Sequence, residues 1–293
     1  MLIAVTLISA DPVAHAARIG HGLADLTGPV KRSAALGPDA FDLVVEAQAL
    51  QPVRSLVTEL LESVEADVCV QPAVGRRKRL LVADMDSTII SCECLDELAD
   101  FAGVKAEVSA ITERAMRGEI GFEGALRERV AMLKGLPLTA LQTCYDERVR
   151  LNPGAKTLIS TMAAHGARCV LVSGGFEFFT RRVAAAAGFH ADRANRLIES
   201  GDALTGEVGE PILGREAKLA ALQDEAAGLG IDLDATLAIG DGANDLAMLG
   251  AAGLGVAYHA KPLVAAEAHA RIEHTDLTSL LYFQGYRMEQ FSG

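Results

Sequence analysis

Two hydrophobic rhythms alternate along the first part of the chain, up to about Ala73. The run "LIAVTLISA" is nearly continuous in apolar residues and reads as a buried strand. "DPVAHAARIGHGLADL" has helical spacing and opens on Asp11, with Pro12 at the first helical position. "FDLVVEAQA" reads as a strand, "PVRSLVTELLESVEA" as an amphipathic helix and "DVCVQPA" as a closing strand. This β-α-β-α-β order predicts a small α+β module suited to regulation or dimerisation. The basic stretch "GRRKR", Gly75 to Arg79, then reads as a solvated hinge.

Beyond the hinge, three apolar runs each end in a polar residue with glycines close by. "RLLVAD" ends at Asp84, "RCVLVSGG" reaches Ser173 and "ATLAIGDGAND" reaches Asp241. Apolar strands separated by helical segments predict a parallel sheet covered on both faces. Ligands of such sheets sit beyond the carboxyl ends of the strands, so the three polar residues are expected to converge. Between the first and second runs lies a helical insertion, Glu93 to Arg150, read as three helices, "CLDELADFAG", "AEVSAITERAMRG" and "FEGALRERVAMLKG". Its position predicts a roof over the strand ends. "NRLIESGDALTGEVGEPILG" carries the turn residues of a β-hairpin.

Length and composition narrow the function. A chain of 293 residues has room for about two domains. Half of it is hydrophobic and few residues are aromatic, as in packed α/β proteins. The net charge of −12, without a basic block outside the hinge, argues against nucleic acid as a partner. No segment has the length of apolar residues that spans a membrane. The apolar start lacks a basic flank and a cleavage site, so it reads as a strand and not as a signal peptide. Five scattered cysteines without paired knuckles suit a reduced, cytoplasmic setting; Cys92 and Cys94 are read as small core residues. The seven histidines have no metal-ligand spacing. "LYFQG", Leu281 to Gly285, resembles the end of a protease-tag linker but is read as native chain.

The candidate chemistry rests on Asp84 and Asp86, two acids flanking Met85 at a strand end. Placing like charges side by side is costly unless a cation or a proton compensates. Asp84 and Asp241 supply hard oxygen ligands of the kind Mg²⁺ takes, while Asn244 and Asp245 can orient metal-bound water. One oxygen of Asp84 is then left to attack phosphorus, and Asp86 is placed to give and take protons. Ser173 with the amides of Gly174 and Gly175, read as a helix start, offers neutral donors to a phosphate. Lys218 adds local positive charge. Taken singly, each has an ordinary explanation: a turn cap for Asp84 or Ser173, a solvated helix residue for Lys218. The ordered combination singles them out.

That combination, DMDST, SGG, a downstream lysine and GDGAND, resembles the haloacid dehalogenase (HAD) superfamily signature. The likeness continues through "AMRGEIGFEGALRERVAMLKGLP", "VLVSGGF", "ANRL", "LTGEV" and "AIGDGANDLAML", where the chain is similar to the phosphoserine phosphatase family. The resemblance implies a HAD-like α/β core with a parallel Rossmann-like sheet at 76–92 and 151–293, and a helical cap at 93–150. The segment 1–75 is more weakly similar to the ACT-like, ferredoxin-like α+β domains. Asp84 is thereby implied as nucleophile, Asp86 as acid/base that also lends a backbone carbonyl to Mg²⁺, and Asp241 as metal ligand. Ser173, Gly174 and Lys218 would bind phosphate. Glu93 and Arg129 would hold the amino-acid part of O-phospho-L-serine, with Asn244 also touching substrate and Met116 and Phe122 lining the cap. Charged cap residues such as Glu93 and Arg129 otherwise face water, and Met116 and Phe122 suit core packing equally well. The implied activity is hydrolysis of O-phospho-L-serine through an aspartyl phosphate, the last step of serine biosynthesis, with a homodimer and an amino-acid effector at the N-terminal domain as implied partners. Two readings stay open beside it: transfer of the phosphoryl group to another acceptor or from another phosphomonoester, and an amino-acid-sensing module with a silent core. The intact acid pair argues against silence.

Overall fold

The computed structural model describes residues 1–116 and 119–292; the side chain of Met116 lies outside the described residues. The N-terminal part runs β1 (Leu2–Ser9), α1 (Pro12–Thr27), β2 (Arg32–Ala35), β3 (Ala40–Glu46), α2 (Leu50–Leu60) and β4 (Ala66–Pro72). The carboxylate of Asp11 accepts from the Ala14 amide at 3.1 Å, capping the orphaned first turn of α1 as its sequence position predicts. The strands form an antiparallel sheet in the order β2-β3-β1-β4. Strand β2 was not expected. "RSAA" is a short, exposed edge strand and carries no alternation to betray it.

Both faces of this sheet are covered, which explains the nearly continuous apolar run of β1. Ile3, Val5 and Leu7 pack beneath Ile19 and Leu23 of α1 and Val53 and Val57 of α2. Ile8, Ala40 and Cys69 join the core of the rest of the chain. "LYFQG" lies in that same seam: Leu281, Tyr282, Phe283 and Gln284 are buried, and Gln71 Nε2 donates to the Phe283 carbonyl at 2.7 Å. At the far end of β4 the Asp67 carboxylate accepts from the amides of Glu273 and Thr275, at 2.8 and 2.9 Å.

The basic stretch is not a solvated hinge. Arg76 grips the buried Asp42 carboxylate with both guanidinium nitrogens, at 2.7 and 2.8 Å. Arg77 lies over the Tyr286 ring. Lys78, only 8 % exposed, donates through Nζ to the Asp234 carbonyl at 2.7 Å. These residues cross the seam between the two sheets, where acceptors await them, and local charge density does not report such partners.

The remainder begins with β5 (Leu80–Ala83), followed by α3 (Cys94–Phe101), α4 (Lys105–Met116), α5 (Phe122–Ala131) and α6 (Leu138–Arg148). The insertion thus has four helices, one more than expected. "LTALQTCYDER" buries only Leu141 and Cys144, too thin an apolar stripe to be read as a helix. Then come α7 (Ala155–Ala164), β6 (Arg168–Phe176), α8 (Glu177–Ala187), β7 (Ala191–Asn195), the hairpin β8 (Leu197–Ser200) and β9 (Ala203–Val208), α9 (Arg215–Leu229), β10 (Thr236–Gly240), α10 (Leu246–Ala251), β11 (Leu254–Tyr258), α11 (Pro262–Glu267), β12 (Ala270–Ile272) and α12 (Ser279–Phe283). The six-stranded sheet has the order β12-β11-β10-β5-β6-β7, all neighbours parallel. Strand β5 is followed by β6 on one side, while β10 flanks it on the other. The chain therefore reverses direction across the sheet at β5, and a crevice opens beyond its carboxyl end.

Candidate active site

The fully buried Leu80–Ala83 ends where Asp84 donates its amide to the Ile239 carbonyl of β10 at 3.0 Å, so Asp84 continues the ladder into the crevice. Its residue is 5 % exposed. A wide turn, Met85–Ile89, then swings the chain out toward the insertion. Within it Ser87 has φ +56°, in the left-handed region that non-glycine residues rarely occupy. Asn152 Nδ2 clamps the turn by donating to the carbonyls of Thr88 and Ile90, at 2.8 and 3.2 Å.

The turn separates the two acids by environment. Lys218 Nζ contacts Asp84 Oδ1 and Asp245 Oδ1, each at 2.6 Å, and the ammonium is all but sealed from solvent. Asp245 also accepts from the Gly242 amide at 3.0 Å. Asp86 faces elsewhere: Oδ1 accepts from the Cys94 amide at 2.9 Å and Oδ2 from the Ser173 hydroxyl at 3.1 Å. Burial raises the affinity of both acids for protons, and the Asp245 charge pushes Asp84 further up while Lys218 opposes it. Burial would strip Lys218, but Asp84 and Asp245 hold its proton firmly.

The cation count is short. Oxygen atoms of Asp84, Asp241 and Asp245 lie within 4.8 Å of one another. Lys218 is the ammonium that contacts these carboxylates, Lys261 acts on Asp241 from further off, and burial and Asp245 still raise Asp241. Such a cluster suits a small divalent cation with oxygen ligands. Asp245 commits both oxygens, to Lys218 and to the Gly242 amide, whereas Asp84 gives Lys218 only Oδ1, so Asp84 and Asp241 are the acids best placed to hold it. Thr88 Oγ1 approaches Asp241 Oδ1 at 3.5 Å.

Ser173 and its glycines are not a helix start. Strand β6 continues through Phe176, and its pairing with β7 shifts register between Val172 and Phe176. The bulge frees Ser173, Gly174 and Gly175 from the ladder and turns them into the crevice. The Gly175 amide donates to Ser173 Oγ at 2.8 Å, orienting the hydroxyl toward Asp86. A side chain at Gly175 would put its Cβ 2.9 Å from Asp86 Oδ2, so only glycine leaves the acid room.

The insertion closes over this floor. A Cβ at Gly174 or at Gly214 would each lie 3.3 Å from the Phe122 ring, so Phe122 spans the β6 bulge and the start of α9. Glu93, at the N-terminus of α3, accepts from Ser87 Oγ at 2.6 Å. It opens to the cleft but is walled by protein, and this burial, with the Asp86 charge, pushes its carboxyl up to about 7. Arg129 on α5 donates through Nε to the Ala125 carbonyl at 3.2 Å and lies within electrostatic reach of Asp96 and Glu93; burial weakens its hold on the proton. Asn244 is half-buried on the turn after β10, its Oδ1 against Gly242.

Residues 81–250 match the family of haloacid dehalogenase-like hydrolases. The chain belongs to this family. Among similar hydrolases, a phosphoserine phosphatase of Polaromonas sp. is 48% identical over 208 residues, which is 69% of this chain and 88% of the relative. A HAD family hydrolase of Salmonella enterica serovar Typhi superposes with a TM-score of 0.86 at 32% identity, covering 96% of this chain and 98% of the other. A probable phosphoserine phosphatase from Vibrio cholerae gives 0.79 at 30% identity, covering 98% and 88%. The HAD-like parallel core is thus present, and the antiparallel N-terminal sheet before it fits the ACT-like domain that the sequence resemblance implies.

In this HAD-like site, Asp84, Asp86, Ser173, Lys218, Asp241 and Asp245 line one crevice, and Phe122 reaches it from the cap. Three contributors escaped sequence reading: Asn152, the Cys94 amide and Asn195. Asn195 stands at the end of β7 within the quoted "ANRL", and its polar amide in that stretch was its visible signal.

Proposed function

We propose that the chain is a Mg²⁺-dependent phosphatase of O-phospho-L-serine, acting through a phosphoryl group carried on Asp84. The observation that carries this reading is the division between the two acids: Asp84 paired with Lys218, Asp86 hydrogen-bonded to Ser173 and the Cys94 amide. Two carboxyls with the same environment would share one role; these two have different partners and so different tasks. The 69% of this chain matched to the Polaromonas phosphoserine phosphatase supports the substrate.

Asp84 and Asp241, with the Asp86 carbonyl, would hold the Mg²⁺. When bound, the ion supplies Lewis acidity to a phosphoryl oxygen and screens the phosphate from Asp84. Lys218 and Ser173 orient the remaining oxygens. An Asp84 carboxylate oxygen attacks phosphorus and the bond from phosphorus to the serine oxygen breaks. Asp86, whose hold on a proton burial strengthens, gives its proton to that oxygen and serine leaves. Asp86, now ionised, takes a proton from water as the water attacks the acyl phosphate. Inorganic phosphate departs, and both acids return to their starting states. Glu93 would accept from the substrate ammonium and Arg129 would take the carboxylate.

The units we propose are a regulatory or dimerising domain at 1–75, a core at 76–92 and 151–293, and a cap at 93–150, with a homodimer and an amino-acid effector as candidate partners. Among the described residues no helix is long and apolar enough to cross a membrane. The five cysteines are free thiols, which supports a cytoplasmic setting, and the proposed role in serine biosynthesis follows from the proposed substrate. The test is phosphate release from O-phospho-L-serine, phosphothreonine and a sugar phosphate, with Mg²⁺ or with a chelator. Preference for phosphoserine and loss of turnover on chelation are expected. A flat profile, or turnover that survives chelation, would sink the proposal.

A further inference from the structure

We infer that Asn195 is a positioning residue that sets the spacing between the Ser173–Gly175 bulge and the segment bearing Lys218; this rests on the phosphatase reading above. The residue is 1% exposed and ends β7, next to the bulge. The register shift between β6 and β7 takes the Gly174 carbonyl out of regular ladder pairing, and Asn195 Nδ2 donates to it at 2.8 Å. The same side chain reaches across to the approach to α9. Its Nδ2 donates to the Leu213 carbonyl at 3.2 Å and its Oδ1 accepts from the Leu213 amide at 2.7 Å. A primary amide pairing with both backbone groups of one residue imitates a strand neighbour, so Leu213 is fixed without belonging to a strand.

Leu213 immediately precedes Gly214, the N-terminal flank of α9, and Lys218 lies in the first turns of that helix. One buried side chain therefore ties the Gly174 backbone to the base of the Lys218 helix. It also ties the two glycines on which the Phe122 ring rests. Asn195 reaches neither Asp84 nor Asp86 through any hydrogen bond among the described residues. Its effect must pass through the groups it spaces. Displacing phosphate-holding groups by a fraction of an ångström costs rate through lost alignment, even when every reacting side chain is intact.

The experiment compares Asn195→Asp and Asn195→Ala with wild type, using full-length chains and Mg²⁺. Asp keeps the size and the acceptor for the Leu213 amide but loses the donor to the Gly174 and Leu213 carbonyls. The readouts are kcat and KM for O-phospho-L-serine and for para-nitrophenyl phosphate, competitive inhibition by inorganic phosphate, and Tm. Phosphate is common to both substrates, so kcat/KM should fall roughly tenfold or more for both alike, and inorganic phosphate should inhibit less well. A variant with lowered Tm but wild-type kcat/KM and phosphate inhibition would show a purely structural residue and overturn the inference. Failure of both variants to fold would do the same. If wild type itself does not hydrolyse phosphoserine, the failure lies with the phosphatase reading, and loss of phosphate inhibition in the variants still decides the positioning role.

Discussion

Asp84 and Asp86 are two residues apart, yet one touches a lysine and the other a serine and a backbone amide. Asp84→Asn replaces the nucleophile with an amide and should abolish both turnover and phosphoenzyme. Asp86→Asn should leave slow phosphoenzyme formation from para-nitrophenyl phosphate, whose leaving group needs little protonation. Equal collapse of both variants on that substrate would contradict the division. Glu93 gives a pH signature. Its carboxyl is pushed up to about 7, so below that pH it is neutral and loses its charge for the ammonium. kcat/KM for phosphoserine should therefore fall as pH drops through about 7, and this limb should vanish in Glu93→Gln. The stability sign is opposite. The folded state holds the Glu93 proton more tightly than the unfolded chain, so this residue's contribution is lost as pH rises from 4.5 through about 7. In chelator at alkaline pH, Glu93→Gln should melt higher than wild type. An unchanged profile and an unchanged Tm would remove Glu93 from the substrate site.

At the scale of elements, strongly periodic segments declared themselves. β5, β6 and β10 were legible because a strand buried on both faces is a run of apolar residues, and the polar residues that close those runs, Asp84, Ser173 and Asp241, marked the crevice. β2 and α6 were not, since neither buries enough apolar surface to leave a pattern. The SGG segment was misplaced onto a helix because a bulge is set by its partner strand, and β7 gives no local sign of the shifted register. Arg76 shows the same limit for charge. Its guanidinium pairs with Asp42, a nearly sealed acid that also accepts from Thr6 Oγ1 at 2.8 Å. Arg76→Ala strands that carboxylate, and loss of one partner of a buried pair costs about 3 kcal/mol or more. Chemical denaturation should show this as a lower midpoint, with kcat/KM almost unchanged in the folded protein. Wild-type stability would mean Asp42 finds water or another donor.

Across the whole molecule, the N-terminal sheet supplies none of the site's side chains but covers the seam that buries Leu280 to Phe283. A chain beginning at Arg77 keeps every proposed catalytic group and exposes that apolar seam to water. It should melt well below the full chain, while the folded fraction retains kcat/KM within severalfold. Full stability without the sheet would mean that its packing contributes nothing; complete inactivity in a folded, soluble product would make it part of the catalytic unit. The convergence of Asp84, Ser173 and Asp241 was readable because a parallel sheet gathers its strand ends. The closeness of the Glu93 end of α3 to the Ser87 turn was not, since it depends on a backbone excursion at Ser87 that no pattern announces.

Transfer of labelled phosphoryl from O-phospho-L-serine to the protein, quenched in acid and mapped to a peptide, asks most directly whether Asp84 carries the reaction. The label should reside on the peptide containing Asp84 in wild type, be absent from Asp84→Asn and, with labelled para-nitrophenyl phosphate as donor, persist in Asp86→Asn. Label on Ser173 or on a histidine, or undiminished phosphate release by Asp84→Asn, would contradict it.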